Sequence, residues 1–296
     1  MSEMAEPATA NAAGPDPYRI GAVAYRAHVV TIWEAFRRWF GERGFPLEYV
    51  LFATYEEQVR ALRAGWIDVA WNTNLAYVAT LRATGGTCRP IAMRDTDLGW
   101  TSHVIVPQDA PGAILGLEGL RGRRVGFGDS DSPQAWILPA HAMRNAGFDP
   151  LVDFRGERLD RDLGKHGDTG GAEFEQLERL RAGQLDACVV SDPTWTAVRE
   201  AGADRGLVIA WTSPPFNHCN FTVLDESTAD HDAFVRLLLT MDEGDPQIRE
   251  PMRLEYVHRW VEPELSGYRD LIAAVGAVQI VVSGTNAAHA NQNGSV

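Results

Sequence analysis

The sequence contains one helix–turn–strand unit twice, and this repeat limits the folds that the chain can adopt. Both copies share a Glu-Gln pair, a Leu-Arg-Ala-Gly helix end and a following aspartate: Glu57-Gln58, Leu62-Arg63-Ala64-Gly65 and Asp68, then Glu175-Gln176, Leu180-Arg181-Ala182-Gly183 and Asp186. Residues 55–70 and 173–188 are identical at seven of sixteen aligned positions. The repeat predicts two similar α/β lobes whose equivalent loops face each other across a cleft. The alternative is the chance recurrence of a common helix end.

Strand-like and helical patterns alternate along the chain. Residues 18–24, 47–52 and 67–71 are apolar runs typical of strands, whereas residues 30–43 and 56–64 carry apolar side chains at helical spacing. Alternation of this kind indicates parallel β-α-β units, because a parallel strand needs a crossover connection that is usually a helix. An α/β fold is therefore predicted.

The length of the chain agrees with two lobes, since 296 residues is near the upper size of a single domain. Residues 1–17 and 283–296 have the composition of disordered tails. Between them we expect residues 18–106 to form the first part of lobe 1, residues 107–206 to form lobe 2, and residues 207–282 to return to lobe 1. Ligands of open α/β sheets bind at the carboxyl ends of the strands, so the cleft between the lobes is the expected site.

Charge and composition exclude several classes of function. The chain has 27 Lys+Arg against 40 Asp+Glu, and this formal net charge of −13 argues against nucleic acid as a partner. Its three cysteines lack the spacing of a disulfide framework or a zinc ribbon. Residues 1–17 have neither the basic nor the apolar region of an export signal, and the longest apolar stretch, 271–282, is too short to span a bilayer. These features predict a cytoplasmic protein without membrane insertion.

Longer motifs surround the repeat in a specific order. They are Gly65-Trp66-Ile67-Asp68-Val69-Ala70-Trp71, Leu75-Ala76-Tyr77-Val78, Thr101-Ser102-His103-Val104-Ile105-Val106, and the run from Leu117-Glu118-Gly119-Leu120 to Asp129-Ser130-Asp131-Ser132. Together they resemble the phosphonate-binding branch of the type II periplasmic binding proteins, the substrate-binding components of ABC transporters. The resemblance implies an α/β fold of two lobes joined by two crossover strands, with the ligand cleft at the hinge. It also implies a small-molecule ligand, and an ABC permease as partner if the protein is exported.

The resemblance further implies that hydroxyls and backbone N–H groups at helix N-termini hold the anion. Ser132 and Pro133 fit the N-cap and the first position of such a helix. The family's hydroxyl-and-glycine run after this serine is replaced by Pro133-Gln134-Ala135, which removes two small donors that would wrap a phosphonate. A carboxylate can still use the same helix end. A small anionic or oxygenated metabolite is therefore the predicted ligand.

Loops at the predicted strand ends supply the candidate ligand-binding residues. They are Tyr25, Arg26, Asn72, Asn74, Thr101, Ser102, Asp129, Ser132, Trp136, Lys165 and Asp192. Arginine binds a carboxylate through two hydrogen bonds, and aromatic rings can form the walls of a site. Lys165 is the only lysine of the chain, and burial of a lysine lowers its pKa enough for base or Schiff-base chemistry. For each residue the alternative is an ordinary structural role.

An enzyme is the second hypothesis, because relatives of this fold include cytosolic thiamine-pyrimidine synthases, chorismate dehydratases and dihydroxyphthalate decarboxylases. The same loops contain His28, His103, His166 and His218, which could act as general acid and base in a lyase that removes water or carbon dioxide from a small carboxylate. Neither a metal nor another cofactor is predicted, because no two histidines have a metal-binding spacing. Neighbouring residues of an extended segment point to opposite faces, so His218 rather than Cys219 is expected to face the ligand.

Overall fold

The computed structural model describes residues 16–110 and 116–276, which form two α/β lobes. The first part of lobe 1 contains β1 (Tyr18–Val23), α1 (Val29–Glu42), β2 (Leu47–Phe52), α2 (Tyr55–Arg63), β3 (Val69–Asn72), α3 (Asn74–Ala83) and β4 (Cys88–Arg94). Lobe 2 contains β5 (Ser102–Pro107), β6 (Arg124–Phe127), α4 (Leu138–Asn145), β7 (Arg155–Arg158), α5 (Gly171–Arg181), β8 (Ala187–Ser191), α6 (Asp192–Glu200) and β9 (Leu207–Thr212). The return to lobe 1 contains β10 (Asn220–Leu224), α7 (His231–Leu238), α8 (Arg249–Leu254) and β11 (Trp260–Val261).

The two sheets share one strand arrangement. The order is β11-β4-β10-β3-β1-β2 in lobe 1 and β7-β6-β8-β5-β9 in lobe 2. β1 pairs in parallel with β2 and β3, and β6 pairs in parallel with β7 and β8. An antiparallel strand lies beside each parallel set. β10 pairs with β3 in lobe 1, and β5 pairs with β8 in lobe 2. The predicted α/β fold with two lobes is confirmed.

The repeated aspartates make the same contacts in both lobes. Asp68 Oδ2 accepts from the backbone N–H of Arg19 at 2.7 Å, and Asp186 Oδ2 accepts from that of Arg124 at 2.8 Å. The Arg19 side chain also donates to the carbonyl of Gly65, and the Arg124 side chain donates to that of Gly183, both at 3.1 Å. These glycines lie just after α2 and α5. The repeat is therefore structural: it connects β1 to the turn that precedes β3, and β6 to the turn that precedes β8.

Close packing extends this similarity to β1 and β6. A Cβ atom at Gly21 would lie 2.3 Å from Ile67 Cδ1, and a Cβ atom at Gly126 would lie 2.5 Å from Leu185 Cδ1. Both strands therefore approach the neighbouring turn too closely for a larger residue. The structural repeat is longer than the identity between residues 55–70 and 173–188 indicates.

Aromatic side chains fill the interior of lobe 1. α1 buries Trp33, Phe36 and Phe40 on one face, as their helical spacing predicts. Trp33 meets Phe221 of β10 edge to face, with ring centroids 6.2 Å apart. This core joins the first part of lobe 1 to the part of the chain that returns after lobe 2.

The predicted lobe boundaries differ from the sheet pairing at two strands. β5 and β9 pair with each other in the sheet of lobe 2, whereas the prediction assigned both to lobe 1. The chain thus crosses between the lobes within residues 95–101 and 213–219. Strand membership depends on long-range hydrogen bonds, which a local apolar pattern does not contain.

The ends of the chain are described only in part. The tails predicted to be disordered lie outside the described residues, apart from Asp16 and Pro17. Within the described ranges, no helix combines the length and the apolar character that a membrane crossing requires.

Removal of either repeated aspartate should destabilise the fold to a similar extent. Asp68→Ala and Asp186→Ala each leave a half-buried backbone N–H without its acceptor, so we expect the free energy of unfolding to fall by about 1–2 kcal/mol in each variant. Urea unfolding measures this loss. Asp225→Ala is the control, because its carboxylate forms an exposed ion pair with Arg89 that contributes less than about 1 kcal/mol. Equal effects in all three variants would contradict the structural role of the repeat.

Candidate functional site

Helix N-termini gather at one edge of each sheet. The parallel strands place the first turns of α1, α2 and α3 at the carboxyl edge of lobe 1, and those of α5 and α6 at the carboxyl edge of lobe 2. Thr54 and Thr73 cap α2 and α3, and Ser132 caps the π-helical turn that precedes α4. The predicted N-cap role of Ser132 is confirmed. Because a helix N-terminus carries partial positive charge, both edges favour anions.

The two edges meet at residues 162–170 of lobe 2, which we call the cleft segment. Lys165 Nζ donates to the carbonyl oxygens of Ala24 and Ala53 in lobe 1, at 2.8 and 2.5 Å. Arg26 Nη2 of lobe 1 donates in the opposite direction, to the carbonyl of Thr169 at 2.6 Å. Lys165 and Arg26 thus both lie between the lobes, where each binds the backbone of the other lobe.

His166 is the buried centre of the cleft segment. Its Nδ1 lies 2.7 Å from Thr73 Oγ1, its Nε2 lies 3.3 Å from Glu56 Oε1, and its ring stacks on Tyr55. The hydrogen bond from His166 lowers the pKa of Glu56 to about 2. Tyr55 Oη donates to Asp168 Oδ2 at 2.5 Å. Polar contacts, which another polar group can replace, therefore hold the two lobes together here.

His218 and Cys219 lie on the same side of the chain. His218 stacks on Trp100 with ring centroids 4.1 Å apart, and its Nε2 lies 3.7 Å from Asp168 Oδ1. Its Nδ1 lies 3.0 Å from Cys219 Sγ. The expectation that the two side chains diverge is wrong, because both residues belong to the irregular crossover before β10 rather than to a strand. Burial raises the pKa of the Cys219 thiol, so it is protonated at neutral pH.

A buried ion pair that sequence reasoning missed lies beneath this cluster. Arg94 donates from Nε and Nη2 to the two oxygens of Asp97, both at 2.7 Å. Its Nη1 donates to the carbonyl of Glu255 at 2.6 Å, and Glu255 Oε1 accepts from Trp71 Nε1 at 2.9 Å. The Arg-x-x-Asp spacing was an available signal, whereas nothing local connects Glu255 to this site.

This region also contains three potential metal ligands. Asp97, His218 and Cys219 place their ligand atoms within 4.8 Å of one another. Both carboxylate oxygens of Asp97 already accept from Arg94, whose positive charge repels a metal cation. The raised pKa of the thiol opposes the deprotonation that metal binding requires. The arrangement therefore favours a structural role for these side chains.

The two predicted asparagines have different roles. Asn74 Nδ2 donates to the carbonyl of Asn217 at 2.9 Å and so ties α3 to the second crossover. Asn72 Oδ1 accepts from Gln58 Nε2 at 2.8 Å, but Asn72 Nδ2 is buried without a partner. Asn72 comes directly before Thr73, which contacts the cleft segment. Of the two amides, Asn72 retains a donor for a ligand.

Three further predicted residues form one group at the start of β5. Asp192 Oδ2 accepts from the backbone N–H and the hydroxyl of Thr101, both at 2.8 Å, and Asp192 Oδ1 lies 2.6 Å from His103 Nε2. Ser102 points elsewhere, because its hydroxyl donates to the carbonyl of Gln134 inside lobe 2 at 2.5 Å. The structure thus unites Thr101, His103 and Asp192 but separates Ser102 from them.

The remaining predicted residues divide between core and loop. Trp136 packs against Phe127 in the core of lobe 2, with ring centroids 5.1 Å apart. Tyr25 and His28 meet edge to face at 6.0 Å, and burial lowers the pKa of His28 while it raises that of Tyr25. Asp129 Oδ1 accepts from the backbone N–H of Arg161 at 2.8 Å.

The four predicted histidines do not assemble into one catalytic group. His103 contacts Asp192, His166 contacts Thr73, and His218 stacks on Trp100. Among them, only His166 and His218 have contacts that converge on the environment of one carboxylate, that of Asp168. The geometry therefore offers no acid–base arrangement that all four histidines share.

Comparison with known proteins identifies the family. Residues 20–268 match the family described as "ABC transporter, phosphonate, periplasmic substrate-binding protein". The chain belongs to this family. The resemblance noted in the sequence motifs is thereby confirmed, and with it the coarse function of a small-molecule binding protein. The family match supports neither the lyase alternative nor a cytoplasmic location.

Solved structures show the same two-lobe type II fold. PhnD1 from Prochlorococcus marinus (MIT 9301), in complex with methylphosphonate, has a TM-score of 0.67 at 17% identity over 90% of this chain and 99% of that chain. A Xanthomonas citri protein bound to ATP has a TM-score of 0.66 at 16% identity, over 88% and 97% of the two chains. A binding component of an ABC phosphonate transporter from Pseudomonas aeruginosa has a TM-score of 0.58 at 16% identity, over 95% and 91%. No curated protein matches the chain.

Glu255 should make stability depend on pH. Burial raises its pKa from an ordinary value of 4.5 to about 7, so the folded protein keeps a proton that the unfolded chain releases between these values. Stability from this group is therefore complete below pH 4.5 and is lost as pH rises through 7. Glu255→Gln should match the parent near pH 4 and exceed its free energy of unfolding by up to about 3 kcal/mol at pH 8.

Urea unfolding at pH 4, 6 and 8 tests this expectation. Glu262→Gln removes a carboxylate from an exposed position and serves as the matched control. We expect the control to follow the pH profile of the parent. If Glu255→Gln also follows it, the assignment of a proton to Glu255 is wrong.

Proposed function

We propose that this protein binds a small metabolite bearing an oxyanion between its two lobes and releases it unchanged. One observation carries the proposal: the fully buried Asn72 Nδ2 lacks an acceptor at the edge where α1, α2 and α3 begin. Its partner bonds fix the orientation of this amide, because Gln58 Nε2 donates both to Asn72 Oδ1 and to the carbonyl of Trp71. A buried donor without an acceptor is costly, and an oxyanion relieves that cost.

Cationic side chains are positioned to join the same ligand. Lys165 and Arg26 bind uncharged backbone carbonyls across the cleft. An oxyanion is a stronger partner for either group than a carbonyl, since both members of the hydrogen bond are then charged. The ligand therefore competes with contacts of the cleft segment, and the lobes exchange one set of polar contacts for the other as they open and close.

The helix start at Ser132 favours other anions over a tightly wrapped phosphonate. The Ser132 hydroxyl already accepts from the backbone N–H of Ala135 at 3.1 Å. Pro133 has no N–H, and Gln134 and Ala135 carry no hydroxyl. A carboxylate or sulfonate needs fewer donors at this position than a dianionic phosphonate, so these groups are the proposed oxyanions. PhnD1, the structural neighbour from Prochlorococcus marinus, was solved with methylphosphonate.

The cellular location of the protein stays a prediction. The sequence predicts a cytoplasmic protein, whereas the family is described as periplasmic. An ABC permease is the proposed partner if the protein is exported. Fractionation of cells that express the native gene distinguishes the two locations.

Asn72→Ala should weaken ligand binding, while Gln58 Nε2 keeps the carbonyl of Trp71 as an acceptor. The variant loses one donor to a charged group, which corresponds to about a tenfold or larger increase in Kd. Calorimetric titration with alkanecarboxylates, alkanesulfonates and alkylphosphonates measures the change. Asn145→Ala, an exposed position on α4, is the matched control and should retain the parent's Kd.

The same three ligand classes also test the proposal by thermal unfolding and mass spectrometry. At a ligand concentration of about 100 times Kd, binding adds about 2.7 kcal/mol of stability, which appears as a clear rise in Tm. Mass spectrometry of the recovered ligand should show an unchanged compound. A product lighter by water or carbon dioxide would support a lyase instead, and the absence of any shift across the three ligand classes would contradict the proposal.

A further inference from the structure

Lobe 1 directs hydrogen-bond donors at the cleft, and oxygen atoms of the cleft segment cover two of them. The backbone N–H of Tyr55, the first residue of α2, donates to the carbonyl of Gly164 at 3.0 Å. The hydroxyl of the same tyrosine donates to Asp168 Oδ2 at 2.5 Å. Lobe 2 therefore places a carbonyl and a carboxylate at the start of a helix, a position that favours negative charge.

A tight turn in the cleft segment presents Asp168 to lobe 1. The backbone N–H of Asp168 donates to the carbonyl of Lys165 at 3.0 Å, and φ is +53° at His166 and +80° at Gly167. Positive φ at both central residues is the geometry of a type I′ turn, which a non-glycine residue such as histidine adopts only uncommonly. A Cβ atom at Gly167 would lie 2.4 Å from Ser132 Oγ, so the turn also packs closely against lobe 2.

The surroundings of the Asp168 carboxylate are those of a bound anion. Its side chain is 11% exposed, and Oδ1 lies 3.7 Å from His218 Nε2, a buried nitrogen without a hydrogen-bond partner. Desolvation raises the pKa of this carboxyl group, and His218, His166 and Arg94 oppose the rise. Asp162, the other acidic residue of the cleft segment, instead bonds within the segment. Of these two carboxylates, that of Asp168 is the one that reaches lobe 1.

We infer that Asp168 is an internal anion: in the unliganded protein its carboxylate occupies the place of the ligand's oxyanion, and the ligand binds by displacing it. The inference rests on the proposed function and adds a regulation of the same site. Because Asp168 is attached to the protein, its effective concentration at Tyr55 is high. A simple anion such as acetate, which offers only the contacts that Asp168 already makes, competes poorly. The site thereby selects ligands that add further contacts.

Asp168→Asn removes the internal charge and keeps the size of the side chain. A neutral amide oxygen accepts from Tyr55 more weakly than a carboxylate does, so a ligand displaces it more easily. We expect Kd for propionate, ethanesulfonate and ethylphosphonate to fall by about fivefold or more relative to the parent. Calorimetric titration measures these constants. An unchanged or higher Kd in the variant would overturn the inference.

Asp160→Asn is the matched control. It removes the same charge from an exposed residue just before the cleft segment, which accepts from the backbone N–H of Ser130. Its Kd should stay at the parent value. Equal tightening in both variants would mean that net charge controls affinity, and the special position of Asp168 would be refuted.

Tyr55→Phe separates competition for one donor from repulsion through space. In the parent background the ligand and Asp168 lose the same donor, so Kd should change little. In the Asp168→Asn background the ligand loses a charge-assisted bond and the amide a weaker one, so Tyr55→Phe should raise Kd by about fivefold. Equal increases in the two backgrounds would show that ligand and Asp168 do not share this donor.

A distance measurement on the unliganded protein tests the inference with Asp168 and Tyr55 intact. Val50→Cys in lobe 1 and Val152→Cys in lobe 2 place spin labels at exposed positions, whereas the three native cysteines are buried. The internal anion should keep the labels at the distance that this structure predicts, and a longer distance would contradict it. If the three ligands bind parent and Asp168→Asn equally, the inference alone is wrong. If none binds either protein, the proposed function fails and the inference fails with it.

Discussion

The cleft depends on the parallel pairing of three strands in each lobe. Because β1, β2 and β3 run in the same direction, the helices that follow them begin at one edge, and the same constraint acts on β6, β7 and β8. The repeated Asp68 and Asp186 maintain this arrangement by binding the start of β1 and of β6. Two edges with partial positive charge are then available to face each other, and an anion between them gains from both.

In this structure the cleft segment fills the space between the two edges. Lys165 reaches the ends of β1 and β2, and His166 reaches Thr73 and Glu56, so lobe 2 supplies polar groups where a ligand would supply them. A ligand need not create new contacts from solvated groups. Under the proposed function it exchanges with contacts that already exist between the lobes.

Buried polar atoms without partners are distributed unevenly between the lobes. Among the described residues, lobe 1 and the second crossover contain buried nitrogen atoms without partners, those of Asn72, His28 and His218 among them, together with one oxygen, Gln58 Oε1. The loop of lobe 2 between Asp129 and Gln134 contains only oxygen atoms without partners. The side chains of the buried Arg94–Asp97 pair are already hydrogen-bonded to each other.

The sequence by itself determined the α/β class, the two lobes and the N-cap at Ser132, since these follow from local periodicity, capping chemistry and a repeat that needs no long-range information. It also assigned Arg26, Asn72, Lys165 and His166 to loops at predicted strand ends, and Lys165 and His166 lie in the segment between β7 and α5. Only the tertiary structure decided that β5 and β9 belong to lobe 2, that Trp136 lies in a core, and that Cys219 lies beside His218. Glu255 joins Arg94 across 161 residues, and Asp129 accepts from the backbone N–H of Arg161 across 32 residues. These contacts join residues that are far apart in the sequence, and no local sequence pattern predicts them.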